Sequence, residues 1–324
     1  MSDSPSTAMA APSAGGPAPV ATPELAVVVL SWNTRELLER CLASLYGQDH
    51  GVALEVVVVD NASKDGSAAR VAERFPQAKL LRNGVNEGYA RGNNQGVRAT
   101  TAPLVLLLNS DTEVRPGALA KLCDVLRRFP EYGAAAPRLV NADGSVQRAC
   151  MRFPTLAAGF WFDSWFERRF GRSAAVRRYF MEDFDHLGDA DVDQPPGAAL
   201  LVRRADWEAI GGFDERLWLF YNDVEFCRRV HDRGQRIRYV VTAEVLHHGG
   251  KSTAQYRDFA GEWIANRVRY FKQRHGMAGA IVLKSWLLLR GLEEACRWWR
   301  NASGPALAAG LRDVGRVVKR GLRA

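Results

Sequence analysis

Near-continuous apolar runs alternate with helically spaced apolar residues through the first part of this chain. The runs fall at 25–30, 54–59 and 104–108, and the last reads Leu-Val-Leu-Leu-Leu without a polar residue. A strand buried on both faces, as in the centre of a parallel sheet, requires that pattern. Residues 80–82 predict a further short strand. Between the runs, Leu37, Leu38, Cys41, Leu42 and Leu45 recur at the spacing of one helix face, and helices are also expected over 68–75 and 116–129. Strand and helix in alternation predict a doubly wound α/β sheet.

Each long run ends abruptly in polar residues: Ser31-Trp32-Asn33-Thr34, Asp60-Asn61-Ala62-Ser63, and Asn109-Ser110-Asp111. In open α/β sheets ligands bind at these carboxyl ends. Alternate residues of an extended chain share a side, so Asn109 and Asp111 can face one ligand. An amide oxygen and a carboxylate are hard donors, suited to Mg2+ or Mn2+ carrying a diphosphate; the competing reading is a polar turn before a helix opened by Pro116. Asn33 with Glu36 also fits a helix cap, and Asp60 fits a self-bonded turn as well as a base- or ribose-binding residue. Residues 83–96 interleave Gly84, Gly88, Gly92 and Gly96 with Asn83, Asn86, Asn93 and Asn94. Such a stretch permits close backbone approach and many amide contacts, and Arg91 within it suits a phosphate. It matches neither a Gly-x-Gly-x-x-Gly fingerprint nor a Walker loop.

The 324 residues carry 44 Lys and Arg against 36 Asp and Glu, a formal charge of +8 that favours anionic partners. No nucleic-acid motif accompanies the charge, so it does not carry a nucleic-acid reading. Cys41, Cys123, Cys150, Cys227 and Cys296 are scattered and form no Cys-x-x-Cys pair. That excludes a disulfide framework or zinc finger and points to a reducing compartment, the cytosol. No uncharged stretch is long enough to cross a membrane. Residues 1–23, rich in Ala, Pro and Ser without a basic start, are expected to be a disordered tail and not a signal peptide.

Taken in order, Ser31-Trp-Asn, Asp60-Asn-Ala-Ser-Lys-Asp-Gly-Ser, Asn86-Glu-Gly-Tyr-Ala-Arg-Gly-Asn-Asn94 and Leu-Leu-Asn109-Ser-Asp111 resemble glycosyltransferase family 2. The later chain is similar to its rhamnosyltransferase-like branch: Ala136-Pro-Arg-Leu, Asp143-Gly-Ser-Val-Gln147, Arg152-Phe-Pro-Thr, Gly197-Ala198, Gly211-Gly-Phe-Asp-Glu215, Tyr221-Asn-Asp-Val-Glu225 and His247-His-Gly-Gly-Lys-Ser-Thr253. The resemblance implies a GT-A fold, a nucleotide-sugar-binding domain with a mostly parallel central sheet flanked by helices. It implies an inverting, metal-dependent transfer of a sugar, L-rhamnose being one candidate, from a nucleotide-diphosphate donor. The acceptor would be a glycan or lipid-diphosphate-linked saccharide of cell-surface polysaccharide. The alternative is a catalytically silent nucleotide-sugar or glycan-binding protein of the same fold, suggested by Asn109 and Asn222 where the family usually has carboxylates.

The resemblance also assigns roles. Asp223 is the expected general base, with Glu225 and Asn222 as support. Asp111 and His247, or alternatively the adjacent His248, are expected on a divalent cation, with Asn109 acting through water or on the ribose. The donor would meet Ser31, Asn33, Asp60, Asn61, Ser63, Asn86, Gly88, Arg91, Asn94, Asn109, Ser110, Asp111, Gly197 and Ala198.

Two segments remain. Residues 157–186 mix Phe160, Trp161, Phe162, Trp165, Phe166 and Phe170 with Arg168, Arg169, Arg172, Arg177 and Arg178, either to clasp a lipid-diphosphate acceptor or to cover the core. Beyond Met277, Lys284, Arg290, Arg297, Arg300, Arg312, Arg316, Lys319, Arg320 and Arg323 outnumber Glu293, Glu294 and Asp313. With Trp286, Trp298 and Trp299 they predict an amphipathic extension, either docked on the body or lying on the inner face of the cytoplasmic membrane. The expected division is a tail over 1–23, a catalytic domain over 24–275 with a nucleotide half (24–130) and an acceptor half (131–275), and a helical extension over 276–324.

Overall fold

A computed structural model describes residues 22–250, 255–256 and 258–324. Residues 1–21 of the tail expected over 1–23, and the motif residues Lys251 to Thr253, lie outside the described residues. The first part of the chain runs β1 (Leu25–Ser31), α1 (Arg35–Tyr46), β2 (Leu54–Asp60), α2 (Ser67–Arg74), β3 (Lys79–Arg82), α3 (Gly88–Arg98), β4 (Leu104–Asn109), β5 (Thr112–Val114) and α4 (Ala118–Arg128). There follow β6 (Tyr132–Val140), α5 (Leu156–Trp161), α6 (Trp165–Phe170), α7 (Ala174–Tyr179), β7 (Ala190–Asp191), β8 (Ala199–Arg203) and α8 (Arg204–Ile210). Finally come α9 (Asn222–Asp232), β9 (Arg236–His247), α10 (Phe259–Asn301) and α11 (Gly304–Arg323).

The strands form one mixed sheet in the order β3-β2-β1-β4-β8-β6-β9-β5, with β7 also on β9. Its long registers are parallel, β1 on β2 and β4, and β6 on β9, while β8 runs antiparallel between β4 and β6. Alternation along β1 sends Leu25, Val27 and Val29 to one face, against Leu38 and Leu42 of α1 and Leu119 and Leu122 of α4. Ala26 and Val28 face the other side, against Ala90 and Val97 of α3 and Phe226 and Val230 of α9.

The glycine-rich stretch is not a loop beyond Glu87: it forms α3. Gly88, Gly92 and Gly96 recur every four residues and so share a helix face. A Cβ at Gly92 would stand 2.5 Å from Leu30 Cδ1, and one at Gly96 would stand 2.2 Å from Val28 Cγ1. Missing side chains let α3 lie directly on the sheet, and that packing outweighs the poor helix propensity of glycine.

The C-terminal helices dock on the body. The α10 segment bends at Gly276, whose φ of 59° is open to glycine without strain. Leu283, Trp286 and Leu287 pack with Leu217, Tyr221, Val224, Val268 and Phe271 in a third apolar cluster. Trp286, read from the sequence as part of an amphipathic extension either docked or membrane-bound, is therefore internal. Arg267 is 1% exposed, donates to the Gly159 carbonyl at 2.6 Å and lies 4.2 Å from the Trp286 ring centre. Phe162 lies over the same guanidinium at 5.3 Å, so this part of the aromatic segment covers the core, whereas Trp165 and Phe170 stand exposed. Met277, Ile281, Leu288, Leu289, Leu292 and Trp299 also remain exposed along α10. Among the described residues, no helix is long and apolar enough to cross a membrane.

Candidate active site

Three strand ends converge because the sheet registers demand it. Ser31 of β1 pairs with Asp60 of β2, and Leu30 with Asn109 of β4. Beyond them opens a cleft whose enclosed part is about 180 Å³. Leu30, Trp32, Asn61, Asn86, Gly88, Tyr89, Asn109, Ser110, Asp111, Trp218, Leu219, His247, Gly250 and Tyr256 line it. Ordinary small-molecule pockets exceed roughly 300 Å³, so a ligand of nucleotide-sugar size would extend through the open mouth.

The hydroxyls and amides beneath the cleft fix its shape. Ser31 Oγ and Ser110 Oγ lie 3.0 and 2.8 Å from Thr34 Oγ1, a buried chain joining β1 to the turn after β4. Asn33 does not cap α1. It has a φ of 51°, receives the Lys64 N–H at Oδ1 (2.7 Å) and donates its own N–H to Ser63 Oγ (2.9 Å). Thr34 takes the cap position instead. Asn61 donates to the Gly88 carbonyl at 3.0 Å and accepts from Asn83 at 2.8 Å, while Asn86 Oδ1 accepts the Gly88 N–H. Asp60 Oδ2 accepts the Ser63 N–H at 3.2 Å, closing the turn expected of it, but its buried Oδ1 has no partner among the described residues. A buried carboxylate oxygen left unpaired is costly and suits a ligand N–H or O–H.

At the end of β9 the two histidines separate. His247 Nε2 stands 3.5 Å from Asp111 Oδ1, and its Nδ1 lies 2.9 Å from Gln147 Oε1. Gln147 also donates to the His247 carbonyl at 2.7 Å, so it orients the ring from two sides. His248 Nε2 instead meets Glu113 Oε1 at 2.9 Å. Among the described residues no three His, Cys, Asp or Glu side chains converge as a metal cage. A carboxylate and an imidazole nitrogen at that separation nevertheless fit two neighbouring positions on one ion whose other ligands are phosphate oxygens and water. Asn109 beside them offers a neutral oxygen, and its backbone N–H is held by the Ala198 carbonyl at 2.9 Å.

Opposite stands Asp223, in the first turn of α9. Its Oδ2 accepts the Gly197 N–H at 3.1 Å and its Oδ1 the Val224 N–H at 2.9 Å. Burial pushes its pKa above the ordinary carboxylate value, and these two hydrogen bonds only partly offset that. A Cβ at Gly197 would come 3.0 Å from Asp223 Oδ2 and 3.2 Å from Tyr89 Oη. The small residue there makes room for the carboxylate, where the sequence suggested room for a sugar. Tyr89 Oη donates to the Gly197 carbonyl at 2.6 Å. Burial raises the Tyr89 pKa first, and the charges of Asp223 and Asp111 raise it further, so this phenol stays protonated between the two carboxylates.

Some expected site residues lie elsewhere. Glu225 is fully buried, 2.6 Å from Arg229 and 3.4 Å from Arg274, and braces α9 against α10. Asn222 donates to the Leu217 carbonyl and accepts the Asp223 N–H, so it positions Asp223. Asn94 grips residues 213 and 215 through the Phe213 carbonyl, the Phe213 N–H and Glu215 Oε1. Arg91 pairs with Glu87 at 3.0 Å, half-exposed and outside the cleft lining. Conversely, Tyr89, Trp218, Leu219 and Tyr256 line the cleft without having been singled out as site residues. Trp218 lies tilted against Tyr256 at 5.1 Å, and its carbonyl receives the Tyr89 N–H at 2.7 Å. The sequence clue was an aromatic beside each motif, which a core aromatic imitates.

Glu225 carries a stability prediction. Glu225→Ala leaves Arg229 and Arg274 facing a void, and removing one partner of a buried pair typically costs about 3–5 kcal/mol. Urea unfolding should show a loss of that order. A loss under ~1 kcal/mol would mean that the pair contributes little.

Comparison with known proteins places the fold and the family. The family model described as Glycosyl transferase family 2 matches residues 26–205. An N-acetylglucosaminyl-diphospho-decaprenol L-rhamnosyltransferase of Mycobacterium tuberculosis is 31% identical over 302 residues, 83% of this chain and 94% of its own length. The low-salt glycan biosynthesis hexosyltransferase Agl10 of Haloferax volcanii is 24% identical over 84% of this chain and 85% of its own. In fold, the chain is similar to the mannosyltransferase PcManGT from Pyrobaculum calidifontis, solved in complex with GDP-Man and Mn2+. The TM-score is 0.53 at 18% identity, covering 95% of this chain and 88% of the other. GalNAc-T7, solved with UDP, GalNAc and Mn2+, gives 0.57 at 14% identity over 79% of this chain and 51% of that one.

Proposed function

The chain belongs to glycosyltransferase family 2, and we propose that it moves a sugar from a nucleotide-diphosphate donor to a saccharide acceptor with inversion at the anomeric carbon. The observation that carries this reading is that Asp223 and the Tyr89 hydroxyl both bond the Gly197 backbone, while Tyr89 lines the cleft together with Asp111 and His247. Asp223 is a carboxylate with a raised proton affinity, fixed by two backbone N–H groups, and Asp111 with His247 forms the anionic corner at the strand ends. An acceptor hydroxyl gives its proton to Asp223 as its oxygen bonds to the anomeric carbon. The bond from that carbon to the diphosphate oxygen breaks, and the nucleotide diphosphate leaves on the opposite face. One base and one displacement give inversion, and no enzyme nucleophile is needed.

Asp111 and His247 would hold a Mg2+ or Mn2+ ion, with Asn109 reaching it through water. When bound, such an ion neutralises charge on the departing diphosphate. Asp60 Oδ1 would accept from the base and Asn33 would face the ribose side. L-rhamnose is the sugar suggested by the mycobacterial relative, and a polyisoprenyl-diphosphate-linked saccharide is the corresponding acceptor.

Calorimetry with a panel of nucleotide diphosphates, with and without Mg2+ or Mn2+, tests the reading. One nucleotide should bind best, and the metal should tighten it by roughly tenfold or more. A folded sample that binds none of them, with or without metal, would refute donor use.

A further inference from the structure

A second cavity, of about 610 Å³, lies between α10 and α11. Trp263, Trp286, Leu287, Trp298, Val314 and Val317 supply its apolar walls. Its size falls in the range of small-molecule sites, roughly 300–1,000 Å³. Trp286 on its wall is 1% exposed, and its Nε1 is a buried donor without a partner among the described residues. The carboxylates at the rim are already neutralised: Asp163 by Arg168, Asp258 by Arg320, Glu294 by Arg290 and Asp313 by Arg316. An apolar occupant therefore meets no unpaired rim carboxylate.

Two contacts tie this groove to the rest of the molecule. Arg316 belongs both to its lining and to that of an adjoining trough of about 560 Å³, bordered by Arg269, Arg312, Lys319, Arg320 and Arg323. Those α11 cations follow helical spacing, so one face presents them together. The groove approaches the donor cleft where Phe259 of its lining meets Phe220, the chain neighbour of cleft-lining Leu219. Trp218 and Tyr256 lie tilted against each other on the cleft side, and Phe220 and Phe259 meet edge to face at 4.8 Å. Arg320, paired with Asp258 of the groove, also borders the trough.

We infer that the α10–α11 groove binds the lipid of a polyisoprenyl-diphosphate-linked acceptor, with the diphosphate on the Arg316–Lys319 trough and the sugar directed over the aromatic wall to Asp223. The inference rests on the transfer reading above and specifies where its acceptor binds. The apolar slot meets the cationic trough at Arg316, and Arg320 of the trough pairs with Asp258, close in sequence to Tyr256 of the sugar-transfer cleft. A free phosphate would use the trough alone, and a membrane surface would use the exposed Leu288, Leu289, Leu292 and Trp299 instead.

The full-length protein is titrated with geranylgeranyl diphosphate and, separately, with inorganic diphosphate, following the fluorescence of the groove tryptophans. The prenyl compound should bind saturably and at least about tenfold tighter, because the groove adds apolar burial to the same charge. Val314→Glu, which puts a charge in the groove, should weaken it by roughly tenfold or more while leaving inorganic diphosphate unchanged. Lys319→Glu should weaken both. Wild-type protein labelled with a benzophenone analogue of geranylgeranyl diphosphate should carry the label within residues 286–298 or 310–318. Equal affinity for the two diphosphates, full binding by Val314→Glu, or label confined elsewhere would overturn the inference. So would a fluorescence change produced equally by phosphatidylglycerol vesicles without prenyl compound. Nucleotide binding by calorimetry on the same samples separates the two proposals: nucleotide bound and prenyl diphosphate refused overturns only this one.

Discussion

Asp223→Asn should reduce sugar transfer by about 10²–10⁴-fold, the usual contribution of a positioned general base. Nucleotide affinity should stay within about twofold, because Asp223 stands outside the cleft lining formed by Asp111 and His247. The pH dependence gives a second readout. Asp223 acts as a base only when ionised, and burial raises its pKa above the ordinary carboxylate value. The acidic limb of the kcat/KM profile should therefore lie above the ordinary carboxylate range, with activity rising as Asp223 loses its proton.

Stability should run the other way. A raised folded-state pKa means that the folded protein holds the proton more tightly than the unfolded chain. That contribution is fully present below the unfolded pKa and is lost as pH rises through the folded one. Urea midpoints of the wild type should thus include a fall through that window, and Asp223→Asn should lack it. Unchanged transfer by the variant, or an acidic limb at an ordinary carboxylate pKa, would remove Asp223 from the role of base.

Asp111→Ala should lower metal-assisted nucleotide affinity by roughly 10²-fold, since the carboxylate is the one anionic protein ligand proposed for the ion. Binding without metal should change far less, so the difference between the two titrations is the decisive quantity. Gln147→Leu should cost about 10–100-fold by releasing His247, the effect expected of a group that orients a ligand. His248→Ala should leave the metal effect intact, because that ring is engaged with Glu113. A metal effect that survives Asp111→Ala undiminished would place the ion elsewhere.

The geometry also explains which substitutions the site tolerates. Asn109 keeps an oxygen donor in the corner but contributes no charge, which leaves Asp111 as the carboxylate of that motif. Asn222 spends its side chain on the Leu217 carbonyl and on the Asp223 N–H, a task that needs both a donor and an acceptor and so suits an amide and not an ionised carboxylate.

Much of the nucleotide half was legible in the residues. Consecutive apolar residues in β1, β2 and β4 can be satisfied only by cover on both faces, and polar residues directly after them mark the open end of the sheet. The helix at 88–98 was not legible, because glycines with asparagines carry the same local signal as a flexible loop. Its helical state depends on Val28, Leu30 and Val59 lying beneath Gly92 and Gly96, and those neighbours are remote in sequence.

By itself, the sequence determined the alternating strand–helix order and the three polar strand ends, since each is written in local periodicity or a contiguous motif. Only the tertiary structure decided between adjacent or chemically equal residues. It turned His247 to Asp111 and His248 to Glu113, buried Glu225 between two arginines while leaving Asp223 beside the cleft, and turned Trp286 inward over Arg267. Which way a side chain faces, and what neutralises it, is fixed by partners up to a hundred or more residues away. No local pattern carries that information.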